Sequence, residues 1–277
     1  MIRDFRVIDF HIHTGDMSHY NPWVIDFFNK ENQVYRDNFH KKINVEGVLD
    51  YLKTEGVEKA VTLAEYNPNS SGIVSNEYLS DFCKGHDELV PIASINFETD
   101  VPYIEQAKHA VEKLGMKGFK LLPSYNYFYP DDPKMFPVYA YAQELGLPIM
   151  FHTGTSIFRG TRIKYANPLL LDEVAFEFPE LKLLLEHGGR SFWYDRVAWM
   201  LMRHKNVYVG CAGIPAKHLI ANFKHLEKDS DRFIFGSDWP GIPGISTMAQ
   251  KIMDLPISHE AKEKIFYHNA ARVLGLE

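Results

Sequence analysis

Val7-Ile8-Asp9-Phe10-His11-Ile12-His13 is a short apolar run that ends in two histidines one residue apart. A run of this kind, followed by a polar loop, reads as a strand buried on both faces of a parallel sheet. The same pattern recurs along the chain. The strand candidates are Phe5 to His11, Val57 to Ala64, Val90 to Asn96, Gly118 to Leu122, Pro148 to His152, Lys182 to His187, Val207 to Cys211 and Phe233 to Ser237. Between them lie segments with helical spacing of apolar residues, among them Val45 to Glu55, Val101 to Leu114, Met135 to Leu145, Leu169 to Phe178 and Phe192 to His204. Eight strand–helix units in series predict an α/β protein closed into a (β/α)8 TIM barrel. An open doubly wound sheet would carry a glycine-rich phosphate turn after an early strand, and neither GxGxxG nor GxxxxGK[ST] occurs.

The 277 residues fit one such barrel, so 1–277 reads as a single domain, with no low-complexity linker to divide it. The net charge of −6, without a run of five like charges, supplies no basic face for phosphates and excludes a nucleic-acid partner from the expectations. Gly, Pro or a charge breaks every apolar run before the ~20 residues a membrane span needs. Cys83 and Cys211 are too few and too far apart for a disulfide framework, and Met1-Ile2-Arg3-Asp4 lacks an apolar signal core, so a cytoplasmic location is expected. Cys211 reads as a small buried hydrophobe. The longest connection, Thr14 to Asn44, carries Tyr20, Trp23, Phe27, Phe28, Tyr35 and Phe39 and is expected to cover the active site or meet a partner subunit in a homo-oligomer. Ser258 to Tyr267 and Asn269 to Leu274 read as closing helices, the second ending at Gly275.

Chemistry concentrates at strand ends. His11 and His13 follow the first strand, His152 the fifth, His187 the sixth and Asp238 the eighth. The loops after barrel strands open on one face, so residues more than 200 positions apart converge there. In an extended segment His11 and His13 project to one side while Ile12 packs, and imidazoles with a carboxylate are the usual ligands of a catalytic zinc. On its own the HxH spacing is also what chance places on a half-buried strand. The other histidines, including His40, His109, His204, His225 and His268, have no converging partners and read as surface residues.

These stretches, with Gly118-Phe119-Lys120-Leu121, Phe151-His152-Thr153-Gly154, Glu186-His187-Gly188-Gly189, Phe235-Gly236-Ser237-Asp238-Trp239-Pro240 and the final Asn269-Ala270-Ala271-Arg272-Val273-Leu274-Gly275, resemble the amidohydrolase superfamily. The branch is that of small metal-dependent barrels that includes aminocarboxymuconate semialdehyde decarboxylase. The resemblance implies that His11, His13, His152 and Asp238 hold one divalent metal, with His187 beside the reactive water or in the ligand set, and Asp238 and His187 as the catalytic pair. Three imidazoles and a carboxylate suit Zn²⁺, with Mn²⁺ or Fe²⁺ as alternatives, better than the all-oxygen preferences of Mg²⁺ and Ca²⁺. In some relatives a lysine after the fourth strand is carboxylated and bridges a second metal. Lys120 stands at that strand, where substrate-anion contact and a structural role are the other readings.

The rim suggests a small anionic substrate. Arg159, Arg162 and Lys164 follow the fifth strand and Arg190 the sixth, and guanidinium groups pair with carboxylates. Tyr125, Tyr127, Phe128, Tyr129 and Trp239 favour a planar substrate or simply pack over the barrel end. The chain is shorter than is usual for decarboxylases of this branch, which favours hydrolysis of a carboxylated lactone, ester or amide by metal-activated water. The alternatives are nonoxidative decarboxylation of an unsaturated or aromatic acid and a non-catalytic binding barrel.

Overall fold

In a computed structural model, residues 4–31 and 44–276 are described. The apolar runs form eight parallel strands: β1 (Ile8–His13), β2 (Lys59–Leu63), β3 (Leu89–Ile92), β4 (Phe119–Leu121), β5 (Ile149–His152), β6 (Leu183–Glu186), β7 (Val207–Gly210) and β8 (Phe233–Ile234). Continuous pairing runs from β1 to β3 and from β4 to β8. A bridge between Ala93 and Phe119 joins the two arcs, and the ring closes where the Phe10 N–H donates to the Phe235 carbonyl and the Asp238 N–H to the His11 carbonyl, both at 3.0 Å. Strand order follows chain order, which gives the (β/α)8 barrel.

Two apolar layers hold it. Ile8, Phe10, Val61, Leu63, Ile92, Met150, Leu184 and Ile234 fill the barrel interior, while a larger cluster lies between strands and helices. The end at the strand starts is sealed by the C-terminal segment, which adds Tyr267, Ala270, Ala271 and Val273 to the inner cluster. Lys182 Nζ reaches the Val273 carbonyl at 2.9 Å and Asn269 Nδ2 the Phe233 carbonyl at 2.8 Å. Only the opposite end is left for chemistry.

β1 departs from simple alternation. Its register with β2 is irregular between Asp9 and Ile12, so Phe10 enters the inner cluster and Ile12, two residues on, the outer one. The Asp9 carboxylate takes up the freed donors, accepting from His11 N–H at 3.1 Å and Ser237 N–H at 2.9 Å. The strand also runs past the expected end at His11: His13 is still extended and donates to the Trp239 carbonyl at 2.8 Å.

The stretch Thr14 to Asn44 is not one long loop. It contains a 3₁₀ turn at Met17–His19 and a helix, Pro22–Glu31, that buries Val24 and Phe28. Tyr35, Phe39 and His40 lie outside the described residues. The sequence reading also had no place for the antiparallel hairpin Glu65–Asn67 with Gly72–Val74, inserted after β2. Leu169 to Phe178 resolves into a 3₁₀ turn, Pro168–Leu171, followed by the helix Asp172–Glu177. His109, His225 and His268 are exposed as expected, but His204 is buried and meets Asp172 Oδ1 at 2.6 Å. Among the described residues no helix is long and apolar enough to cross a membrane.

Candidate metal centre

The ends of β1, β5, β6 and β8 carry His11, His13, His152, His187 and Asp238 to one cavity of about 270 Å³. His11 Nε2 and His13 Nε2 lie 3.2 Å apart, and Asp238 Oδ1 is 3.2 Å from the second and 3.5 Å from the first. His187 joins this group, since donor atoms of His11, His187 and Asp238 all fall within 4.8 Å of one another. The His152 ring stands edge-on to His187 at 4.7 Å and to Tyr125 at 5.1 Å, and its Nε2 is buried without a hydrogen-bond partner. Asp238 owes its place to a backbone turn with φ 71, which swings the carboxylate in from the end of β8.

Each β1 histidine is braced from behind. His13 Nδ1 lies 2.6 Å from Glu65 Oε1, and His11 Nδ1 lies 3.0 Å from Glu186 Oε2. His187 Nδ1 instead donates to the Ala212 carbonyl at 2.8 Å. In all three, a proton held at Nδ1 leaves Nε2 with a lone pair, the form a metal requires. The two β1 lone pairs face each other across 3.2 Å, and with the partnerless His152 Nε2 and Asp238 Oδ1 they make a donor set that fits a divalent cation.

Without an ion, the electrostatics set His13 apart from the other three rings. Burial drives His152 and His187 well below the usual imidazole pKa, helped by the Arg190 charge, so both are neutral. Burial and then the Lys120 charge lower His11. At His13 burial acts downward, but the Glu65 and Asp238 carboxylates outweigh it and push the ring to about 9. Burial opposes the Asp238 carboxylate too, yet the His13 hydrogen bond and the nearby positive charge, Arg190 included, hold it well below the usual range. Burial lifts Asp9, beneath the site, to about 7.

The cations named from the sequence divide. Lys120, 1% exposed, lines the cavity, and its Nζ has no hydrogen-bond partner among the described residues. Burial lowers its pKa against the pull of Glu186, Asp238 and Glu65. Arg190 also lines the cavity, with Nη1 3.5 Å from Asp238 Oδ2. Arg159 does not: it is exposed, because the loop after β5 turns outward beyond Thr155, Ser156, Ile157 and Phe158. Arg162 stacks on the Tyr127 ring at 4.3 Å instead of facing the cavity. Trp239 is likewise outside the lining, buried beneath it with its ring 5.1 Å from that of Tyr51. Arg159 and Trp239, both expected at the substrate, are thus not among the residues that line this cavity: the first is exposed and the second is buried in the core.

Three carboxylates escaped the sequence reading: Glu65, Glu186 and Asp9, all buried at strand ends or within apolar strands. The signal that singled out His152 and Asp238, an ionisable residue closing an apolar run, was equally present at Glu65 and Glu186. A larger cleft of about 570 Å³, lined by Lys205, Arg232 and Phe233, opens near the start of β8, and none of the site residues lines it.

The match to the amidohydrolase family model runs over residues 8–276, almost the whole barrel. The chain belongs to the amidohydrolase family. It is an enzyme of that family, and 2-amino-3-carboxymuconate-6-semialdehyde decarboxylase of Dictyostelium discoideum is 21% identical to it over 253 residues, which are 79% of this chain and 68% of that protein. An uncharacterised TIM-barrel protein from Bordetella bronchiseptica superposes on this amidohydrolase with a TM-score of 0.82 at 23% identity, over 98% of this chain and 99% of the other. A 5-carboxyvanillate decarboxylase variant from Novosphingobium aromaticivorans, holding manganese and 3-methoxy-4-hydroxy-5-nitrobenzoic acid, superposes with a TM-score of 0.68 at 14% identity, over 99% of this chain and 98% of that one. At these identities the two structures establish the fold alone.

Proposed function

We propose that this amidohydrolase is a metal-dependent nonoxidative decarboxylase of a small aromatic or unsaturated carboxylic acid. The observation that carries the reading is the division of the cavity into a polar floor and an apolar wall. The floor is the imidazole–Asp238 cluster with Lys120 and Arg190; the wall is Tyr20, Val24, Phe27, Phe28, Tyr125 and Phe158. Such a slot takes a flat apolar body with an acid group at one end. Phe27, from the helix Pro22–Glu31, meets Phe158 edge-on at 5.5 Å and closes the wall over the floor. Of the stretch after β1, Tyr20, Val24, Phe27 and Phe28 line the cavity, whereas Trp23 does not. Short length does not separate this chain from decarboxylases, because the one described above aligns with it nearly end to end.

His11, His13, His152 and Asp238 would hold one divalent ion, Zn²⁺ or Mn²⁺, with His187 completing the set or standing beside it. The ion, when bound, supplies positive charge that draws electron density from the substrate's acid group. Lys120, buried and with no hydrogen-bond partner among the described residues, would pair with a substrate oxygen. Arg190 orients the leaving carboxylate. Asp238 moves the proton. Both oxygens of Glu65 are engaged by His13, Asn67 and Ser71, which leaves Asp238 as the carboxylate able to exchange a proton with a ligand in the cavity. Asp238, ionised at rest, would relay a proton from solvent to the carbon that bears the carboxylate; the carbon–carboxylate bond then breaks, its electron pair restores the unsaturated system, and carbon dioxide leaves. The apolar wall excludes water, which favours loss of the charged carboxylate as a neutral gas.

Hydrolysis of a carboxylated lactone or ester uses the same floor and is the second reading. The test is incubation of zinc- and manganese-loaded protein with aromatic and unsaturated carboxylic acids beside lactones, esters and amides, with carbon dioxide and proton release measured separately. Metal-dependent carbon dioxide release is expected. Hydrolysis without it would replace this reading with the second.

A further inference from the structure

The hairpin Glu65–Val74 is built around one carboxylate. Glu65, 3% exposed, has every visible bond assigned: Oε1 to His13 Nδ1 at 2.6 Å, and Oε2 accepting from Ser71 Oγ at 2.6 Å and Asn67 Nδ2 at 2.9 Å. Asn67 is itself fixed, its Oδ1 accepting from Asn126 Nδ2 at 2.9 Å. The hairpin cannot shift easily. The Asn21 N–H donates to the Ser71 carbonyl at 2.9 Å, Asn21 Nδ2 reaches the Ser70 carbonyl at 2.7 Å, and a Cβ on Gly72, at φ +130, would lie 2.1 Å from the His19 carbonyl oxygen. A buried, fully bonded carboxylate on a clamped hairpin, aimed at the rear nitrogen of one imidazole, has the form of an orienting device.

We propose that Glu65, held by Ser71 and Asn67, is the positioning residue that fixes the His13 ring with its proton at Nδ1 and its Nε2 lone pair turned toward His11 and Asp238. The assignment rests on the metal-dependent reading and adds to it the residue that decides how well β1 binds the ion. Glu186 is not equivalent. Its Oε1 lacks a partner and His11 Nδ1 sits farther away, at 3.0 Å, so Glu186 braces His11 less rigidly.

The geometry makes Glu65→Gln a sharp variant. If the amide oxygen faces His13, the amide NH₂ meets the Asn67 Nδ2 donor. If the amide turns round, its NH₂ faces His13 Nδ1 and drives the ring proton to Nε2, where a metal cannot bind. The first arrangement sets donor against donor in a buried place, and the second removes the Nε2 lone pair.

The experiment measures zinc affinity by chelator competition and, at saturating zinc, the Nδ1–H signal of His13 in protein labelled with ¹⁵N-histidine. Glu65→Gln is expected to weaken zinc binding about 10–100-fold and to remove or broaden that signal, and Ser71→Ala to do the same to a smaller degree. Unchanged affinity in Glu65→Gln overturns the assignment, and so does lost affinity with an intact Nδ1–H signal, which would mark a merely structural role. If Glu65→Gln does not fold, Ser71→Ala carries the test with the same two readouts. A parent chain that binds no divalent ion would sink the metal-dependent reading itself. Neither readout involves carbon dioxide, so failure of the decarboxylase reaction leaves the Glu65 assignment standing.

Discussion

The four histidines of the floor fall into two pairs that the barrel treats differently. His11 and His13, on β1, are each backed at Nδ1 by a buried carboxylate, whereas His187 Nδ1 leans on a carbonyl and no carboxylate among the described residues backs His152. A carboxylate behind an imidazole raises its basicity and fixes its ring, so β1 provides the strong, preset half of the donor set. His152 and His187, which no carboxylate backs, provide the other half, and burial holds both rings low, as it does His11. Under the metal-dependent reading proposed above, strong binding and adaptable chemistry fall on different strands.

The largest expected effect comes from the braced pair. His13→Ala should abolish stoichiometric metal in protein purified without added ion, while His152→Ala should retain a measurable part of it; elemental analysis of both decides, and equal losses would erase the distinction. Next is Asp238→Asn. The amide keeps the shape but carries no transferable proton, so turnover should fall by about 3–5 kcal/mol of transition-state stabilisation, with the folded state intact by circular dichroism. A variant that loses metal and activity in the same proportion would make Asp238 a ligand only.

A smaller contrast separates the two arginines. Arg190→Met should raise KM about tenfold or more by removing a cation from the floor, and Arg159→Met, at an exposed position, should leave kcat and KM unchanged. Steady-state kinetics on any substrate found by the carbon dioxide assay tests both, and an effect at Arg159 would return the outward loop to the site. The least effect belongs to stability far from the floor. Asp172→Ala removes the acceptor shared by His204 Nε2 at 2.6 Å and Arg203 Nε at 2.9 Å, and should cost about 1–2 kcal/mol in urea unfolding with no change in metal content.

What was legible in the sequence follows a simple line. Apolar runs of strand length in series determine a parallel barrel, because strands buried on both faces admit few polar residues, and any ionisable group that closes such a run must face the open end. That reasoning is local, and it located His11, His13, His152, His187 and Asp238 and the single cavity they share. It could not say which partner stands behind each ring. Glu65 and His13 are 52 positions apart and Glu186 and His11 are 175 apart, and their pairing depends on how far the strands are staggered when the barrel closes. The bulge at Asp9 shifts the phase of β1, the outward turn after Phe158 carries Arg159 away, and the ring of Trp239 goes to the core. Each of these is a choice between two faces of the backbone. Composition and spacing leave the two equal, and only the packing of the closed barrel makes one of them lower in energy.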